Sequence, residues 1–129
     1  MSHPRTVAGL LGLLAVLLLA ACSSTAGGGG SRLLHYQRVW PNGNVEQQTI
    51  YRDGKAEMKH GEVLERLTLD SADVKRLEDA LARPIPTGSP DDSPVRTLTL
   101  ADGTVIAAPR PDPGTVTELL ERLLDTHSL

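Results

Sequence analysis

Cysteine and aromatic residues are almost absent from this chain, which contains one Cys, one Trp, two Tyr and no Phe. A single cysteine, Cys22, excludes an intramolecular disulfide. With so few aromatic rings the core must be aliphatic and modest in size, because small domains bury a lower fraction of their surface. Basic residues are also in the minority, with 13 Lys and Arg against 16 Asp and Glu. This acidic balance argues against nucleic-acid binding, which depends on clustered Lys and Arg.

One long apolar run extends from Val7 to Ala21, after a short start that contains Arg5. A charged start, an apolar middle and small residues at the end are the three parts of a secretory signal. A membrane-spanning helix needs roughly 20 apolar residues, and this run is nearer to 15. The pattern therefore predicts export.

The run ends in Leu19-Ala20-Ala21-Cys22, which resembles the lipobox of bacterial lipoproteins. In that family the cysteine thiol receives a diacylglyceryl group, the preceding peptide bond is cut, and the new amino terminus is usually acylated. The resemblance implies that residues 1–21 are removed between Ala21 and Cys22. A retained membrane helix and an ordinary signal peptide are the alternatives. Lipidation also explains an unpaired cysteine in an exported chain.

Two or three acyl chains on Cys22 would hold the chain stably, whereas one chain holds only marginally. The expected location is the outer face of the cell membrane, or the outer membrane of a Gram-negative cell. Loss of Arg5 with the signal leaves 12 basic against 16 acidic residues, a formal charge of −4. This charge argues against a polybasic contact with the membrane.

Residues 22–32 are predicted to be the lipidated cysteine and a tether, because Gly27–Gly30 lie among small polar residues. Such segments behave as flexible coils, and the ten residues Ser23–Arg32 reach roughly 17 Å in root-mean-square terms. A phosphate-binding glycine loop is not indicated, since no strand precedes the glycines and no Gly-Lys-Ser/Thr follows. One domain is predicted over residues 33–129.

The first half of this domain has the pattern of antiparallel strands joined by tight turns. Asn-Gly at Asn42 and Asp-Gly at Asp53 are turn signals, since both dipeptides accept positive φ. The predicted strands are Leu33–Trp40, Val45–Tyr51, Lys55–Lys59 and Glu62–Leu69. The last two are either separate strands or one bulged strand interrupted near Gly61.

Two helices and a hairpin complete the predicted order. Asp70 and Ser71 offer caps for a helix that must end near Arg83, before Pro84. A polar loop, Pro84–Pro94, is expected to be mobile. The hairpin Val95–Ala108 turns at Asp102-Gly103, and Thr115 with Glu118 forms a capping box for a leucine-rich amphipathic helix. The order β-β-β-α-β-β-α predicts an α+β fold, an antiparallel sheet of four to five strands with two helices packed on one face.

The mature sequence has no recognisable catalytic constellation. His35, His60 and His127 lack metal-ligand spacing, and Gly-x-Ser-x-Gly is absent. The carboxylates alternate with Lys and Arg and are interpreted as solvent-exposed. No catalytic, cofactor or metal residue is therefore predicted, and the chain is not expected to be an enzyme. An enzyme would need three titratable side chains converging in a cleft, with His35 and His60 as candidates.

Three features could bind a partner. The first is the aromatic stretch and its turn, because Trp and Tyr are enriched at interaction hot spots. Its candidate contact residues are Tyr36, Trp40, Asn42 and Gly43, although core packing is the alternative use of Trp40. The other two features are the loop Pro84–Pro94 and any open sheet edge.

The segments Leu67–Asp70 and Leu98–Gly103, the acidic helix with Leu77 and Leu81, and the closing leucine-rich helix resemble emfourin. That family comprises small bacterial inhibitors of thermolysin-like metalloproteases. The resemblance lies in the order of elements: early hairpin, strand, helix, strand pair, helix. It implies a protein-binding module without catalysis. Residues Pro41–Val45 match no inhibitory motif, so no functional residue is transferred.

The sequence thus predicts a lipid-anchored, non-enzymatic envelope lipoprotein whose small domain binds an exported protein, such as a protease. The alternatives are a small-ligand carrier, with a pocket between sheet and helices, and a structural envelope lipoprotein.

Overall fold

The computed structural model describes residues 30–129. The predicted signal peptide, the cleavage site and Cys22 lie outside these residues. The described chain forms six strands and two helices. The strands are β1 (Arg32–Val39), β2 (Val45–Tyr51), β3 (Lys55–His60), β4 (Val63–Thr68), β5 (Val95–Leu100) and β6 (Val105–Ala107). The helices are α1 (Ser71–Leu81) and α2 (Val116–Thr126).

All six strands belong to one antiparallel sheet, in the order β4-β3-β2-β1-β5-β6. The predicted α+β class is confirmed. The predicted four to five strands were too few, because the segment after Lys55 is a hairpin and not one bulged strand. Gly61 adopts a φ of +60°, which allows a tight turn and pairs His60 directly with Val63.

The core lies between one face of the sheet, the inner face, and the two helices. Successive strand residues point to opposite faces, so Leu34, Tyr36 and Arg38 of β1 all point inward. Buried aliphatic residues of the strands form one cluster with those of the helices, among them Ile50, Leu98, Leu77 and Leu120. The Gln48 amide also donates to the backbone carbonyl of Leu120 (2.8 Å), which joins β2 to α2.

Both helices begin at the caps predicted from the sequence. The Asp70 side chain accepts from the Asp73 amide (2.8 Å), and the Thr115 hydroxyl accepts from the Glu118 amide (3.3 Å). Each cap satisfies a backbone donor that has no partner inside its helix.

The proline-rich loop expected to be mobile is hydrogen-bonded to the segment after β6. The Gly88 amide donates to the Ala108 carbonyl (2.7 Å), and the Arg110 amide donates to the Pro86 carbonyl (2.8 Å). The loop therefore extends the β6 side of the sheet.

Within residues 30–129, neither eleven-residue helix has the length and apolar character needed to cross a membrane.

Candidate functional site

One end of the inner face carries charged side chains where the other end carries leucines. The strand register places four side chains side by side across β3, β2, β1 and β5, namely His60, Glu46, Arg38 and Arg96. We call these residues, together with Trp40, Glu121 and Asp125, the charged network. The last turns of α2 cover it.

Arg38 is the centre of the charged network and is only 5% exposed. Its guanidinium donates to three carboxylates, those of Glu46 (2.9 Å), Glu121 (2.6 Å) and Asp125 (2.7 Å). Burial by itself lowers the pKa of Arg38, but the hydrogen bonds to these carboxylates outweigh burial and raise it. Arg38 is therefore a permanent cation that fastens α2 to β1 and β2.

Glu46 is the matching buried anion. Its carboxylate accepts from the Arg38 guanidinium, from the Trp40 indole N–H and from His60 Nδ1 (2.6 Å). Burial raises the pKa of Glu46, but these three donors dominate and hold that pKa at about 2. The carboxylate stays ionised at any physiological pH.

Glu121 links the two arginines, because Arg96 Nε also donates to it (2.9 Å). The Tyr36 hydroxyl is buried near the Glu121 carboxylate and has no hydrogen-bond partner among the described residues. Its pKa is raised, first by burial and then by the Glu121 charge.

His60 of the charged network lies beside a second histidine, His127, on the β4 side. His127 follows α2 in the left-handed conformation, and its Nε2 lies 3.0 Å from the Glu65 carboxylate of β4. The rings of His60 and His127 lie 6.0 Å apart, between centroids. These contacts connect the end of α2 to the edge of the sheet.

Each charged side chain of the arrangement is paired with one of opposite charge, which is typical of an ion-pair network that supports the fold. The candidate histidines of the enzyme alternative do not meet. His35 points to the opposite face of the sheet from His60, and its Nδ1 contacts the Thr49 hydroxyl (2.9 Å). Within residues 30–129 no three His, Cys, Asp or Glu side chains are placed to hold a metal ion.

The structure separates the four predicted contact residues. Tyr36 is fully buried in the folded domain, so its side chain is not on the surface that a partner would meet. Its even position on β1 places it on the inner face. Trp40 is 36% exposed, and Asn42 and Gly43 are exposed in the β1–β2 turn beside it. These three residues form one surface, which we call the Trp40 corner.

The Trp40 ring is held from the interior. Its N–H donates to the buried Glu46 carboxylate, and the Arg38 guanidinium lies 5.4 Å from the ring centroid. Sequence reasoning missed this support, because it interpreted the carboxylates, Glu46 among them, as solvent-exposed. The sequence nevertheless contained a sign of this burial, because Arg38 lies two residues after Tyr36 and four after Leu34 and therefore shares their strand face.

The interior leaves little room for the pocket that a small-ligand carrier would need. The space between the sheet and the helices is occupied by buried side chains, including Tyr36, Met58 and Leu123. A cavity of about 290 Å³ lies elsewhere, between β5 and the proline-rich loop, and another of about 370 Å³ lies beside the end of α1.

No protein-family model, curated protein or solved structure matches this chain. The resemblance to emfourin therefore stays a prediction.

Proposed function

We propose that this protein is a lipid-anchored, non-enzymatic envelope lipoprotein whose domain binds another exported protein. The observation that carries the proposal is Leu19-Ala20-Ala21-Cys22 at the end of the apolar run. A glycine-rich tether follows, and β1 begins two residues after the last of its glycines, Gly30. An anchor, a tether and a folded domain thus follow one another along the chain.

The Trp40 corner suits a partner because it lies at the end of β1 opposite the tether. Eight residues separate Arg32 from Trp40, and a strand rises about 3.3 Å per residue, so the corner lies roughly 26 Å from the tethered end. Its tryptophan is half-exposed and already fixed by the charged network. A ring held in place loses little conformational entropy on binding, which favours a hot spot.

A specific version of the proposal makes the partner an exported metalloprotease. It is supported by the resemblance to emfourin, whose hairpin, strand, helix, strand pair and helix match the order here except for one additional strand, β4. The purified mature chain should then slow a thermolysin-like protease. Full protease activity at a large molar excess of the chain would reject this version alone.

The anchor is tested by intact-mass analysis of the protein made in a bacterium. We expect a mature amino terminus at Cys22 that carries acyl chains. Cys22→Ala should abolish lipid attachment, while Ser23→Ala should leave it unchanged. A mature chain that starts elsewhere, or that carries no lipid, would overturn the lipoprotein proposal.

Partner binding is tested by recovery of the lipidated protein from detergent-solubilised membranes. A genuine partner should be retained by the parent chain and lost from Trp40→Ala, because the substitution removes the exposed ring. Lys75→Ala on the exposed surface of α1 is the control and should retain it. If no protein depends on Trp40, the corner is not the binding surface.

A further inference from the structure

The face of the sheet opposite the helices, the outer face, is covered by no element of residues 30–129. It displays mostly neutral side chains that are half-exposed, among them His35, Gln37, Gln47, Thr49, Thr97 and Thr99. Burial and the nearby Arg32 charge lower the pKa of His35, so this histidine adds no charge at neutral pH. The outer face is therefore broad, polar and open to a partner.

The strand residues of the outer face carry a charge opposite in sign to that of the rest of the domain. The strand residues on the outer face include four cations but one carboxylate, Glu57, giving a formal charge of +3. The four cations are Arg32, Lys55, Lys59 and Arg66. The rest of residues 30–129 carries eight basic and fifteen acidic residues, a charge of −7.

None of these four cations forms a close ion pair with a carboxylate of residues 30–129. Lys59 and Lys55 are exposed, although Asp53 in the β2–β3 turn lies 4.0 Å from Lys55 at the margin of the face. Arg32 is exposed at the start of β1. Arg66 lies 3.7 Å from Glu57, a distance at which a surface pair contributes little.

We propose that the outer face lies against an anionic phospholipid surface, namely the membrane that holds the chain through Cys22. This inference rests on the proposed lipoprotein function. The net acidic charge of the chain argued against such a contact, but only one of the sixteen carboxylates, Glu57, lies among the strand residues of the outer face. A membrane in contact with the outer face meets the charge of that face and not the average of the chain.

The anchor favours a membrane over an acidic protein as the occupant. The tether predicted from the sequence would reach roughly 17 Å and would join the domain at Arg32, which is itself on the outer face. A short tether keeps the local concentration of the face at the headgroups permanently high. An open sheet also suits a planar surface, and Leu64 on the same face is 48% exposed and available to the headgroup region.

This orientation determines which surfaces remain free. With the outer face on the membrane, the acidic helices point away from it. The Trp40 corner lies at the sheet end opposite the tether, where an exported partner can reach it.

The three lysines of the chain allow a direct test. Lys55 and Lys59 lie on the outer face, whereas Lys75 lies exposed on α1. The lipidated full-length mature protein is reconstituted on vesicles of phosphatidylcholine, alone or mixed with phosphatidylglycerol, and its lysines are acylated and quantified by mass spectrometry. On anionic vesicles Lys55 and Lys59 should react more slowly relative to Lys75. At about 0.5 M NaCl, where the Debye length is about 4 Å, the difference should disappear.

A matched pair of variants tests the charge itself. Arg32→Gln with Arg66→Gln removes two cations from the outer face and keeps both reporter lysines. Each basic residue near an anionic surface changes the equilibrium constant for association with that surface roughly fivefold. This variant should therefore lower the equilibrium constant for contact between the outer face and the membrane about 25-fold. Arg76→Gln with Arg122→Gln removes the same charge from the helices and should leave the protection unchanged.

The outcomes separate the two proposals. A chain without acyl chains in its intact mass overturns the lipoprotein function and this inference with it. A lipid-bearing chain whose lysines react equally on both kinds of vesicle overturns only the inference. Protection by added polyglutamate on neutral vesicles would then assign the outer face to an acidic polypeptide.

Discussion

A buried guanidinium is compatible with this fold because three carboxylates surround it. Arg38 contacts Glu46, Glu121 and Asp125, and the first two are themselves largely buried. Removing one member of such a network leaves the others charged and without compensation, which costs far more than the loss of a surface pair.

Arg38→Met is therefore expected to lower the free energy of unfolding by about 3–5 kcal/mol. Urea denaturation measures the change. Arg122→Gln is the control, since Arg122 pairs with Glu118 on the exposed side of α2 and should change stability by about 0.5 kcal/mol or less. Equal effects of the two substitutions would show that the network contributes no more than a surface ion pair.

Glu46 makes the free energy of unfolding of the domain depend on pH in the acidic range. Its pKa is about 2 in the folded protein and near the ordinary 4.5 in the unfolded chain. A lowered folded pKa contributes stability that is present above pH 4.5 and is lost as pH falls toward 2, in total roughly 3 kcal/mol. Unfolding free energies measured between pH 6 and pH 2 should fall over that window.

Glu46→Gln should flatten this acid dependence, because the substituted side chain no longer titrates. Glu62→Gln in the exposed β3–β4 turn is the control and should follow the parent curve. An unchanged slope in Glu46→Gln would mean that other carboxylates cause the loss of stability in acid.

At the scale of elements, the β2–β3 turn supports the start of α1. Gly54 adopts a φ of +93°, and its carbonyl accepts from the Leu69 amide (2.8 Å), just before the Asp70 cap. A Cβ at Gly54 would overlap the Leu69 carbonyl oxygen, whereas a Cβ at Gly43 would meet open space at a similar φ of +86°.

The two glycines therefore form a matched pair for substitution. Gly43→Ala should cost roughly 1–2 kcal/mol for its backbone conformation alone. Gly54→Ala should cost more, because the backbone at Leu69 must also move. Thermal unfolding of both variants gives the comparison, and equal losses would show that the turn and the helix start are independent.

For the whole molecule, the strand order places β1 and β2 inside the sheet and β4 at its edge. Interior strands have pairing partners on both sides and carry the fully buried side chains of Tyr36, Gln48 and Ile50. Stability within a fold follows such burial, so local openings should begin at the edges.

Hydrogen exchange of the native domain should consequently be slowest for amides of β1 and β2 and faster for β4. Mass spectrometry of peptides that cover these strands measures the order. Amides of β4 that exchange as slowly as those of β1 would indicate that the whole sheet opens only as one unit.

The sequence by itself determined the local elements, because their causes are local. Turn dipeptides, caps and the leucine spacing of α2 depend on neighbours a few residues away, and their positions agree with the structure. The sequence left the structure at Gly61 undecided, because a glycine inside a strand pattern is compatible with either a bulge or a turn. Only the pairing of β3 with β4 distinguishes them.

The tertiary structure alone decided which polar residues are buried and how charge is distributed. Arg38 and Glu46 are buried because α2, about eighty residues away in sequence, covers their end of the inner face. The basic outer face arises because the two helices pack on the opposite side of the sheet. Burial and surface charge depend on contacts between distant segments, and local patterns in the sequence do not specify those contacts.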